Sequence, residues 1–524
     1  MIPKSLGLWA RVVAITPTPK GLSLTDPQIN SGKSFTLIDV TTAVDGEAPV
    51  TGISISKPSK SVTVIGAGVA GMSAACALAD VGFRVRLVER RGYLGGRASS
   101  YLHPGVNEVI DNCQHALIGA YTNLIGFYRR IGVADKIRWT SDMTMIEPGG
   151  RRSRLGPSWL PAPLHGLPKL LTAHAFSLAD KIALSRAFAA MIRPIPQNST
   201  ENLAQWLARH GQTSGAVNRF WRLVLASALN SDLDQISVNY AAMVIRGLFM
   251  NSPEAGSMGM STVPLSQLYS GVKEYLEARG GKLHLTLNVE RATWVNIASQ
   301  WGVHAKYQSK FHWQLGSDFV VVALPFEGMA NLLPNIIPKK LSGVPALAAQ
   351  IERHEHWPIC SVHLWFDRPI TDLEHAVLLD REIHWMYNQS KLQRRPGNYI
   401  ELVVSATRAF AALPREAAIA QALSELAEFF PLVKEAKLEK VALIKEVRAT
   451  FGVPPGIDAF RPGAVSPWPN LFLAGDWVQT GWPSTMESAA RSGHLAAEAV
   501  CAAAGSPRQI LDPDLKPTGL MRFL

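Results

Sequence analysis

The chain has 524 residues, of which 47% are apolar and 18% charged, and its formal net charge is +11. This composition excludes an intrinsically disordered protein, and the length predicts about three domains. No uncharged apolar run reaches the roughly 20 residues that a transmembrane helix needs. The four cysteines form no CxxC pair. We therefore expect no metal site, no disulfide framework and a reducing cytosolic environment.

Residues 1–60 are rich in Ser, Thr, Pro and Gly and precede the first clear structural unit. The stretch "SLGLWARVVAI" is interrupted by Arg11 and lacks a small-residue cleavage site, which is not typical of a signal peptide. We interpret residues 1–60 as a loose extension and expect a chain that begins at Lys57 to fold. Whether the extension belongs to the mature protein stays open.

The next segment has the pattern of a βαβ unit that binds a dinucleotide. Ser61–Ile65 and Arg84–Val88 are short β-branched runs typical of buried parallel strands, and an Ala-rich helix to about Val81 separates them. Glu89 ends the second strand, where it is placed to accept hydrogen bonds from ribose hydroxyls. The intervening turn is a GxGxxG motif, which allows backbone N–H groups to approach a pyrophosphate. Its predicted cofactor-binding residues are Gly66, Gly68, Ala70 and Gly71.

Two further blocks point to FAD as the dinucleotide. "RRGYLGGRASS" places a flexible turn and a cation beside the first turn, and Leu471–Ala474 predicts a strand followed by a Gly-Asp turn and a helix over Pro483–Val500. An aspartate at this turn suits a polyol chain, which FAD has as its ribityl group and NAD lacks. We predict non-covalent FAD. The cofactor residues in these blocks are Arg90, Gly95, Gly96, Arg97, Gly475, Asp476 and Met486.

The stretch "DNCQHALIGAY", Asp111 to Tyr121, sets five polar residues directly before an apolar run. Buried polar groups are costly unless they are hydrogen-bonded or used in chemistry. His115 is the only side chain of the five whose ordinary pKa allows proton transfer near neutrality, and Asp111 is a candidate to orient its ring. We predict both as catalytic residues. The alternative, a structural plug that hydrogen-bonds backbone and flavin, stays open.

The GxGxxG–Glu–GGR block and the AGD-helix block resemble flavin amine oxidases and carotenoid desaturases. Within that group, the DNxQH run followed by GxY resembles the hydroxysqualene dehydroxylases, FAD-dependent enzymes of bacterial hopanoid pathways. The resemblance covers about residues 61–500, with supporting matches at "TVPLSQL", "ICSVHLWFDRPI" and "LFLAGDW". It implies that the backbone of Val289 meets the adenine. Cys113 departs from the pattern, which has Gly at that place.

The resemblance implies an α/β fold in which a Rossmann-like FAD-binding domain is interleaved with an α+β substrate domain. The strand after the Gly-Gly turn of "EYLEARGGKLHLTLNVERATWV" and the strand in Asp318–Pro325 are both expected to join the FAD sheet. Cys360–Phe366 and Tyr399–Val404 are predicted strands of the substrate domain. The expected divisions are 61–150, 264–330 and 449–504 for the FAD domain, 151–263 and 331–448 for the substrate domain, and 505–524 for a tail.

The implied reaction is reduction of hydroxysqualene to squalene, with hydride from reduced flavin and a proton from His115 to the departing hydroxyl. The chain has no second GxGxxG for NADPH, so we expect an external electron donor. A phytoene-type carotenoid desaturase is the alternative, although desaturases carry Thr-Gly-Leu-His where this chain has DNxQH. Amine oxidase is disfavoured because "STMESAARSG" lacks the cysteine that anchors covalent flavin. An alternative of another class is a prenyl-binding escort protein without redox chemistry.

Residues 151–195 carry seven Lys or Arg against one Asp, interleaved with Leu, Phe, Trp and Pro. This mixture favours an anionic membrane surface over nucleic acid as the partner. The alternative of a helical hairpin with a solvated basic face stays open. We expect a cytoplasmic protein that is peripheral at the inner face of the membrane and takes a long-chain isoprenoid substrate from it.

Overall fold

The computed structural model describes residues 59–193, 195–196, 199–307, 311–339 and 341–523. The predicted extension and the expected start at Lys57 therefore lie outside the described residues. Within these ranges the strands are β1 (Ser61–Ile65), β2 (Arg84–Val88), β3 (Ser100–His103), β4 (Glu108–Asp111), β5 (Leu117–Ile118), β6 (Ile137–Thr140), β7 (Met143–Ile146), β8 (Arg152–Leu155), β9 (Met258–Ser261), β10 (Lys282–His284), β11 (Leu287–Val295), β12 (Gln300–Tyr307), β13 (Phe311–Ser317), β14 (Phe319–Val322), β15 (Ile336–Ile337), β16 (His356–Phe366), β17 (His375–Leu378), β18 (Trp385–Asn388), β19 (Asn398–Ser405), β20 (Leu438–Phe451) and β21 (Leu471–Leu473).

The helices lie between and over these strands. They are α1 (Val69–Asp80), α2 (Thr122–Arg130), α3 (Leu167–Thr172), α4 (Leu178–Ile192), α5 (Leu203–Arg209), α6 (Ser214–Ala216), α7 (Leu223–Leu229), α8 (Val238–Ile245), α9 (Leu265–Leu268), α10 (Gly271–Glu277), α11 (Phe326–Leu332), α12 (Val344–Glu352), α13 (Gln389–Leu392), α14 (Arg408–Ala412), α15 (Arg415–Phe429) and α16 (Met486–Ala503). Two π-helical segments, Val217–Arg222 and Arg246–Met250, adjoin α7 and α8.

A five-stranded parallel sheet, in the order β10-β2-β1-β14-β21, organises the nucleotide-binding side of the molecule. Every residue of β1 is buried, as its β-branched sequence predicts for a central parallel strand. Helix α1 is Ala-rich and packs closely against α16, because a side chain at Gly493 would meet the Ala70 carbonyl oxygen at 2.3 Å. Small residues on both helices therefore hold them against the sheet.

The strand predicted after the Gly-Gly turn is divided into two, and this expectation is corrected. Thr286 adopts φ +57 between β10 and β11. Strand β10 pairs with β2 in the parallel sheet, whereas β11 pairs with β12 in a separate four-stranded sheet. Strand β14 lies between β1 and β21, as expected for the segment Asp318–Pro325.

A seven-stranded sheet, in the order β20-β16-β19-β18-β17-β7-β8, lies on the other side of the candidate site. Strands β16 and β19 are antiparallel, with His363 opposite Glu401 and Trp365 opposite Tyr399. These four side chains are buried, so one face of this strand pair carries polar groups into the interior. The predicted strands Cys360–Phe366 and Tyr399–Val404 fall within β16 and β19.

Candidate active site

One large cavity, of about 1540 Å³, is lined both by the turns that the sequence predicts for the cofactor and by residues 112–115 of the DNCQH segment. Every predicted cofactor-binding residue except Gly71 lines it. Of the two predicted catalytic residues, His115 lines the cavity, whereas Asp111 lies behind the wall. The fold thus brings the separate sequence blocks to one place.

The glycines of the first turn have different surroundings. A side chain at Gly68 would meet nothing within 4 Å, so this glycine leaves open space at the cavity wall. A side chain at Gly71 would lie 1.8 Å from the Gly66 carbonyl oxygen, and Gly66 itself has φ +100. Gly66 and Gly71 are therefore required for the turn and for packing, while the space at Gly68 fits a close-approaching pyrophosphate.

Glu89 is buried at the end of β2 and faces the same turn. Its Oε2 accepts a hydrogen bond from the Ala67 N–H at 2.9 Å, and its Oε1 accepts one from the Arg91 N–H at 2.8 Å. These two bonds use only part of the acceptor capacity of a carboxylate. Glu89 is thus held rigidly beside the cavity with acceptor capacity left for ribose hydroxyls.

The second glycine turn packs directly on the first. The Gly95 N–H donates to the Ala67 carbonyl at 2.9 Å, and a side chain at Gly96, which has φ +62, would lie 3.2 Å from the Gly68 Cα. The two turns together form one cradle at the N-terminus of α1. Glycine at these places is needed because larger residues would separate the turns.

Arg97 connects the second turn to the Gly-Asp turn after β21. Its guanidinium forms a short ion pair with Asp476 Oδ1, and Ser484 Oγ donates to Asp476 Oδ2 at 2.5 Å. Burial alone would raise the pKa of Asp476, but the Arg97 cation, the Ser484 hydrogen bond and the Arg461 charge together more than offset it, so that the pKa lies below the ordinary value. The Gly-Asp turn therefore presents a fixed carboxylate to the cavity.

Arg461 is a functional residue that the sequence did not reveal. Its guanidinium is fully buried and donates to the carbonyl oxygens of Asp476 at 2.8 Å, Val478 at 2.7 Å and Trp482 at 2.7 Å. It thereby shapes the loop that carries Asp476. A lone arginine in "AFRPGAV" follows no motif, and only the tertiary structure shows that its partners are backbone carbonyls.

The DNCQH segment is hydrogen-bonded to the second glycine turn and to the seven-stranded sheet. Toward the second glycine turn, Asn112 Oδ1 accepts from the Ser99 N–H at 3.1 Å and Asn112 Nδ2 donates to the Arg97 carbonyl at 2.6 Å. Toward the seven-stranded sheet, Ser361 Oγ donates to the Asn112 carbonyl at 3.0 Å and the Gln114 N–H donates to Glu401 Oε1 at 2.6 Å. The segment is therefore both a structural bridge and a cavity wall.

The expectation that Asp111 orients His115 is wrong. Asp111 accepts hydrogen bonds from Ser100 Oγ at 2.5 Å and from the Leu265 N–H at 3.1 Å. The His115 ring instead has Nδ1 at 2.6 Å from the Cys113 carbonyl. Since a carbonyl only accepts, Nδ1 carries the proton in the neutral ring and Nε2 is unprotonated; the Arg97 backbone also contacts the ring.

The protonation of His115 also differs from the expectation. His115 is half-buried and lines the cavity, and its burial, with a contribution from the Arg97 cation, lowers its pKa to about 4. A neutral imidazole at physiological pH is poorly suited to protonate a leaving group. It is in the correct state to accept a proton at Nε2.

Glu401 is a second residue that the sequence analysis missed. It lies at the centre of β19 with no exposed surface, and burial, followed by the charge of Asp111, raises its pKa to about 8. Burial likewise raises the pKa of Asp111 to about 6. An acidic residue inside the apolar run "NYIELVVS" was the available signal, because such residues are rarely buried without a role.

Aromatic and apolar side chains line the rest of the cavity. Tyr121 and Trp482 meet edge to face at 5.7 Å, and Trp385 stacks on Tyr387 at 5.7 Å. Trp477 is fully buried outside the lining. Apolar residues of α4, α7 and both π segments line the same cavity; they are Phe188, Phe220, Leu223, Val224, Phe249 and Met250.

The two glycine turns, the Glu89 acceptor and the Asp476 carboxylate fit FAD, and together with the parallel sheet they define a dinucleotide-binding flavoprotein. Residues 69–501 match the model of the flavin containing amine oxidoreductase family. The chain belongs to this family and is an FAD-dependent oxidoreductase. When bound there, FAD would supply a hydride acceptor or donor at the cavity. The escort alternative without redox chemistry is thereby excluded.

The curated relatives include two proteins of similar length. The chain is 27% identical over 463 residues to 15-cis-phytoene desaturase of Synechococcus elongatus, covering 84% of this chain and 96% of the relative. It is 27% identical over 489 residues to zeta-carotene desaturase of Synechocystis sp., covering 84% and 97%. Both alignments extend across nearly the whole of each relative.

Solved structures support the same α/β fold. An oxidoreductase from Methanosarcina mazei superposes with a TM-score of 0.65 at 17% identity, covering 83% of this chain and 98% of that one. Putrescine oxidase superposes with a TM-score of 0.65 at 15% identity, covering 85% and 99%. The predicted α/β class and the FAD cofactor are confirmed.

Proposed function

We propose that the chain removes hydrogen from a long linear isoprenoid, as its named relatives, the phytoene and zeta-carotene desaturases, do. The observation that supports this most is the whole-length similarity to those desaturases. The apolar residues of α4, α7 and the π segments line the same cavity as the nucleotide cradle, and this cavity of about 1540 Å³ offers room for such a chain. The comparisons thus favour the carotenoid desaturase alternative over the hydroxysqualene reaction that the DNxQH resemblance implies.

His115 has a defined part in this proposal. Dehydrogenation transfers a hydride from one substrate carbon to the flavin and a proton from the next carbon to a base. Neutral His115 lines the cavity, and its unprotonated Nε2 can take that proton. The aromatic pair Tyr121 and Trp482 would exclude water while the charge develops.

Product analysis tests the proposal. Flavin-loaded protein is incubated with phytoene or zeta-carotene in lipid vesicles with a quinone as electron acceptor, and the extracts are separated by chromatography. We expect products with additional conjugated double bonds. Unchanged phytoene and zeta-carotene, at full flavin content and with several quinones, would contradict a desaturase.

Reductive dehydroxylation of hydroxysqualene is the second candidate, and a specific observation favours it. The polar DNCQH segment lines the cavity beside the cradle, and a hydrocarbon substrate has no use for polar partners there. In this reaction the C–O bond breaks, and the departing hydroxide takes a proton to form water. Hydride from reduced flavin then bonds to the carbon that carried the hydroxyl group. Incubation of chemically reduced protein with hydroxysqualene would yield squalene; no squalene formation would dismiss this candidate.

Membrane docking is a further part of the proposal. No helix within the described ranges is both long and apolar enough to cross a bilayer. Large apolar side chains are nevertheless exposed along the segment 159–182 and at the C-terminus, and Leu164 of this set lines the cavity. They are Trp159, Leu164, Leu171, Leu178, Ile182, Leu520 and Phe523. We expect this surface to enter an anionic membrane and to admit the isoprenoid; an external acceptor or donor would exchange the electrons.

A further inference from the structure

Two tryptophans of the described residues line the cavity, and their rings have different surroundings. They are Trp385 and Trp482. The Arg491 guanidinium lies over the Trp482 ring, 5.9 Å from its centroid, so a protein cation already faces that ring. Among the ring–cation pairs in the described part of the chain, none includes Trp385. Trp385 therefore offers the cavity an indole whose electron-rich face no protein cation uses.

The Trp385 ring is held in place on strand β18. Its Nε1 donates a hydrogen bond to Ser227 Oγ, on α7, at 2.8 Å. The indole also stacks on the ring of Tyr387, with the centroids 5.7 Å apart and the planes 9° apart. Burial raises the pKa of Tyr387, so this neighbour is a neutral phenol at physiological pH. Trp385 is half-buried and lines the cavity, so the ring surface that these contacts leave is open to a ligand.

Cys113 connects this indole to His115. The Cys113 side chain packs in one apolar cluster with Tyr387 and Val403, and Trp385 packs against that cluster. The Cys113 carbonyl accepts the hydrogen bond from His115 Nδ1 at 2.6 Å. The indole and the proposed base therefore lie on the same stretch of the cavity wall.

This stretch of the wall has no carboxylate among the described residues. The carboxylates that line the cavity lie on other elements than β18, α7 and the DNCQH segment. They are Glu89, Asp142, Glu290, Glu327, Glu446 and Asp476. Glu401 lies behind the wall and is largely protonated at neutral pH, because burial above all raises its pKa to about 8. A positive charge that develops beside His115 thus has an aromatic face available to it rather than a lining carboxylate.

We propose that Trp385 is a further catalytic residue, whose indole face contacts the isoprenoid chain and stabilises the positive charge that develops on it during dehydrogenation. The inference rests on the proposed desaturase function and assigns a residue to one step of it. In that step one carbon loses a hydrogen with its electron pair, as hydride, to the oxidised flavin and becomes electron-deficient. His115 then takes a proton from the neighbouring carbon, and the electron pair of that C–H bond forms the new double bond.

Single-turnover reduction of the flavin by zeta-carotene measures this step. Oxidised holoprotein that carries fluorinated tryptophan only at Trp385 is mixed anaerobically with zeta-carotene in vesicles. Fluorine withdraws electron density from the ring face and leaves the shape of the ring nearly unchanged. We expect the rate to fall with each added fluorine, by about tenfold for the most fluorinated ring, at unchanged affinity for zeta-carotene. A rate that does not respond to fluorination would overturn the proposal.

Trp365 provides the matched control, because it forms the same kind of stacked pair outside the cavity. Its ring centroid lies 4.4 Å from that of Tyr399, with the planes 6° apart, and neither residue lines the cavity. Fluorination at Trp365 should leave the rate unchanged. An equal loss of rate at both positions would mean that fluorine acts through packing, which also overturns the proposal.

A charged ligand tests the same contact without turnover. Binding of an isoprenoid analogue with a protonated nitrogen in place of one chain carbon is compared with binding of phytoene, by calorimetry in detergent micelles. We expect Trp385→Leu to weaken binding of the ammonium analogue by about tenfold more than binding of phytoene, and Trp365→Leu to change neither.

The two measurements separate this inference from the proposed function. Holoprotein that oxidises zeta-carotene, but in which Trp385→Leu weakens both ligands equally, would refute only the role of Trp385. Holoprotein that leaves zeta-carotene unoxidised, but in which Trp385→Leu selectively weakens the ammonium analogue, would refute the desaturase and support the contact between the indole and a positive charge.

Discussion

Gly68 and Gly71 belong to one motif, but the structure separates their roles. Gly68 has extended φ −72 and open space where a side chain would lie. We predict that Gly68→Val folds normally and loses FAD, because the valine occupies the pyrophosphate position. Gly71→Ala should instead fail to fold, since its methyl group would collide with the Gly66 carbonyl oxygen at 1.8 Å. Flavin absorbance per mole of protein and circular dichroism measure the two effects.

Gly463→Val is the control for Gly68→Val, because Gly463 also has open space but lies away from the cradle. It should retain full flavin. Full flavin content in Gly68→Val would refute the assignment of the cradle.

A buried acid with a raised pKa makes the folded state less stable as the pH rises, whereas an acid with a lowered pKa makes it more stable. Glu401 has a pKa raised from 4.5 to about 8, so the folded state binds a proton that the unfolded state releases. Its contribution to stability is present below about pH 4.5 and is lost as the pH rises toward about 8. We predict that the melting temperature of Glu401→Gln falls less between about pH 5 and about pH 8 than that of the wild type. An unchanged slope would show that Glu401 is ionised throughout.

At this scale the sequence predicts residue types better than their states. The glycines, Glu89 and Asp476 were identifiable because motif spacing fixes their backbone positions. The state of His115 was not, because its pKa depends on burial and on Arg97, which come together only in the folded chain. The partner of Asp111 was equally inaccessible, since Leu265 is distant in sequence.

The loop after β21 depends on Arg461. Its guanidinium satisfies several carbonyl oxygens that would otherwise be buried without donors. We predict that Arg461→Met lowers the free energy of unfolding by about 3–5 kcal/mol, the range for breaking a buried charged network. The variant should also lose FAD, because Asp476 is no longer held. Urea unfolding and flavin content measure this, and a loss below about 1 kcal/mol would contradict the role.

Elements with strong local patterns were predicted well. Strands β1 and β2 have the expected bounds, since β-branched runs beside glycine turns leave few alternatives. The break between β10 and β11 was not predicted, because threonine residues rarely adopt the positive φ that Thr286 has. The residues around Thr286 also have the alternating pattern of one continuous strand. The pairing of β16 with β19, which creates the polar face behind DNCQH, is likewise a tertiary property.

The whole molecule presents an apolar surface near the cavity rather than a purely basic one. Arg151 and Arg152 are engaged with Glu147 and Asp372, so they are less available to lipid than the sequence suggested. The C-terminal segment joins this surface, because the Leu520 N–H donates to the Ala162 carbonyl at 2.8 Å. Apolar side chains from two distant parts of the chain thus form one surface.

We predict that serine at Trp159, Leu178 or Phe523, which are 89%, 73% and 85% exposed, weakens sedimentation with anionic liposomes. Each change should reduce partitioning by about tenfold, because each removes apolar area from the lipid. The substitutions Ile297→Ser and Val465→Ser are the controls and should have no effect on sedimentation; these side chains are 102% and 69% exposed. Equal loss in the controls would place the membrane contact elsewhere.

The central claim is that this FAD-dependent oxidoreductase takes electrons from a long-chain isoprenoid. It is tested most directly by mixing the oxidised holoprotein anaerobically with zeta-carotene in vesicles and following the flavin absorbance. We predict that the absorbance of oxidised flavin is lost in a single turnover and that His115→Gln slows this loss by about 10²–10⁴-fold. Flavin that stays oxidised with zeta-carotene and phytoene, yet is reoxidised by hydroxysqualene after chemical reduction, would contradict the claim.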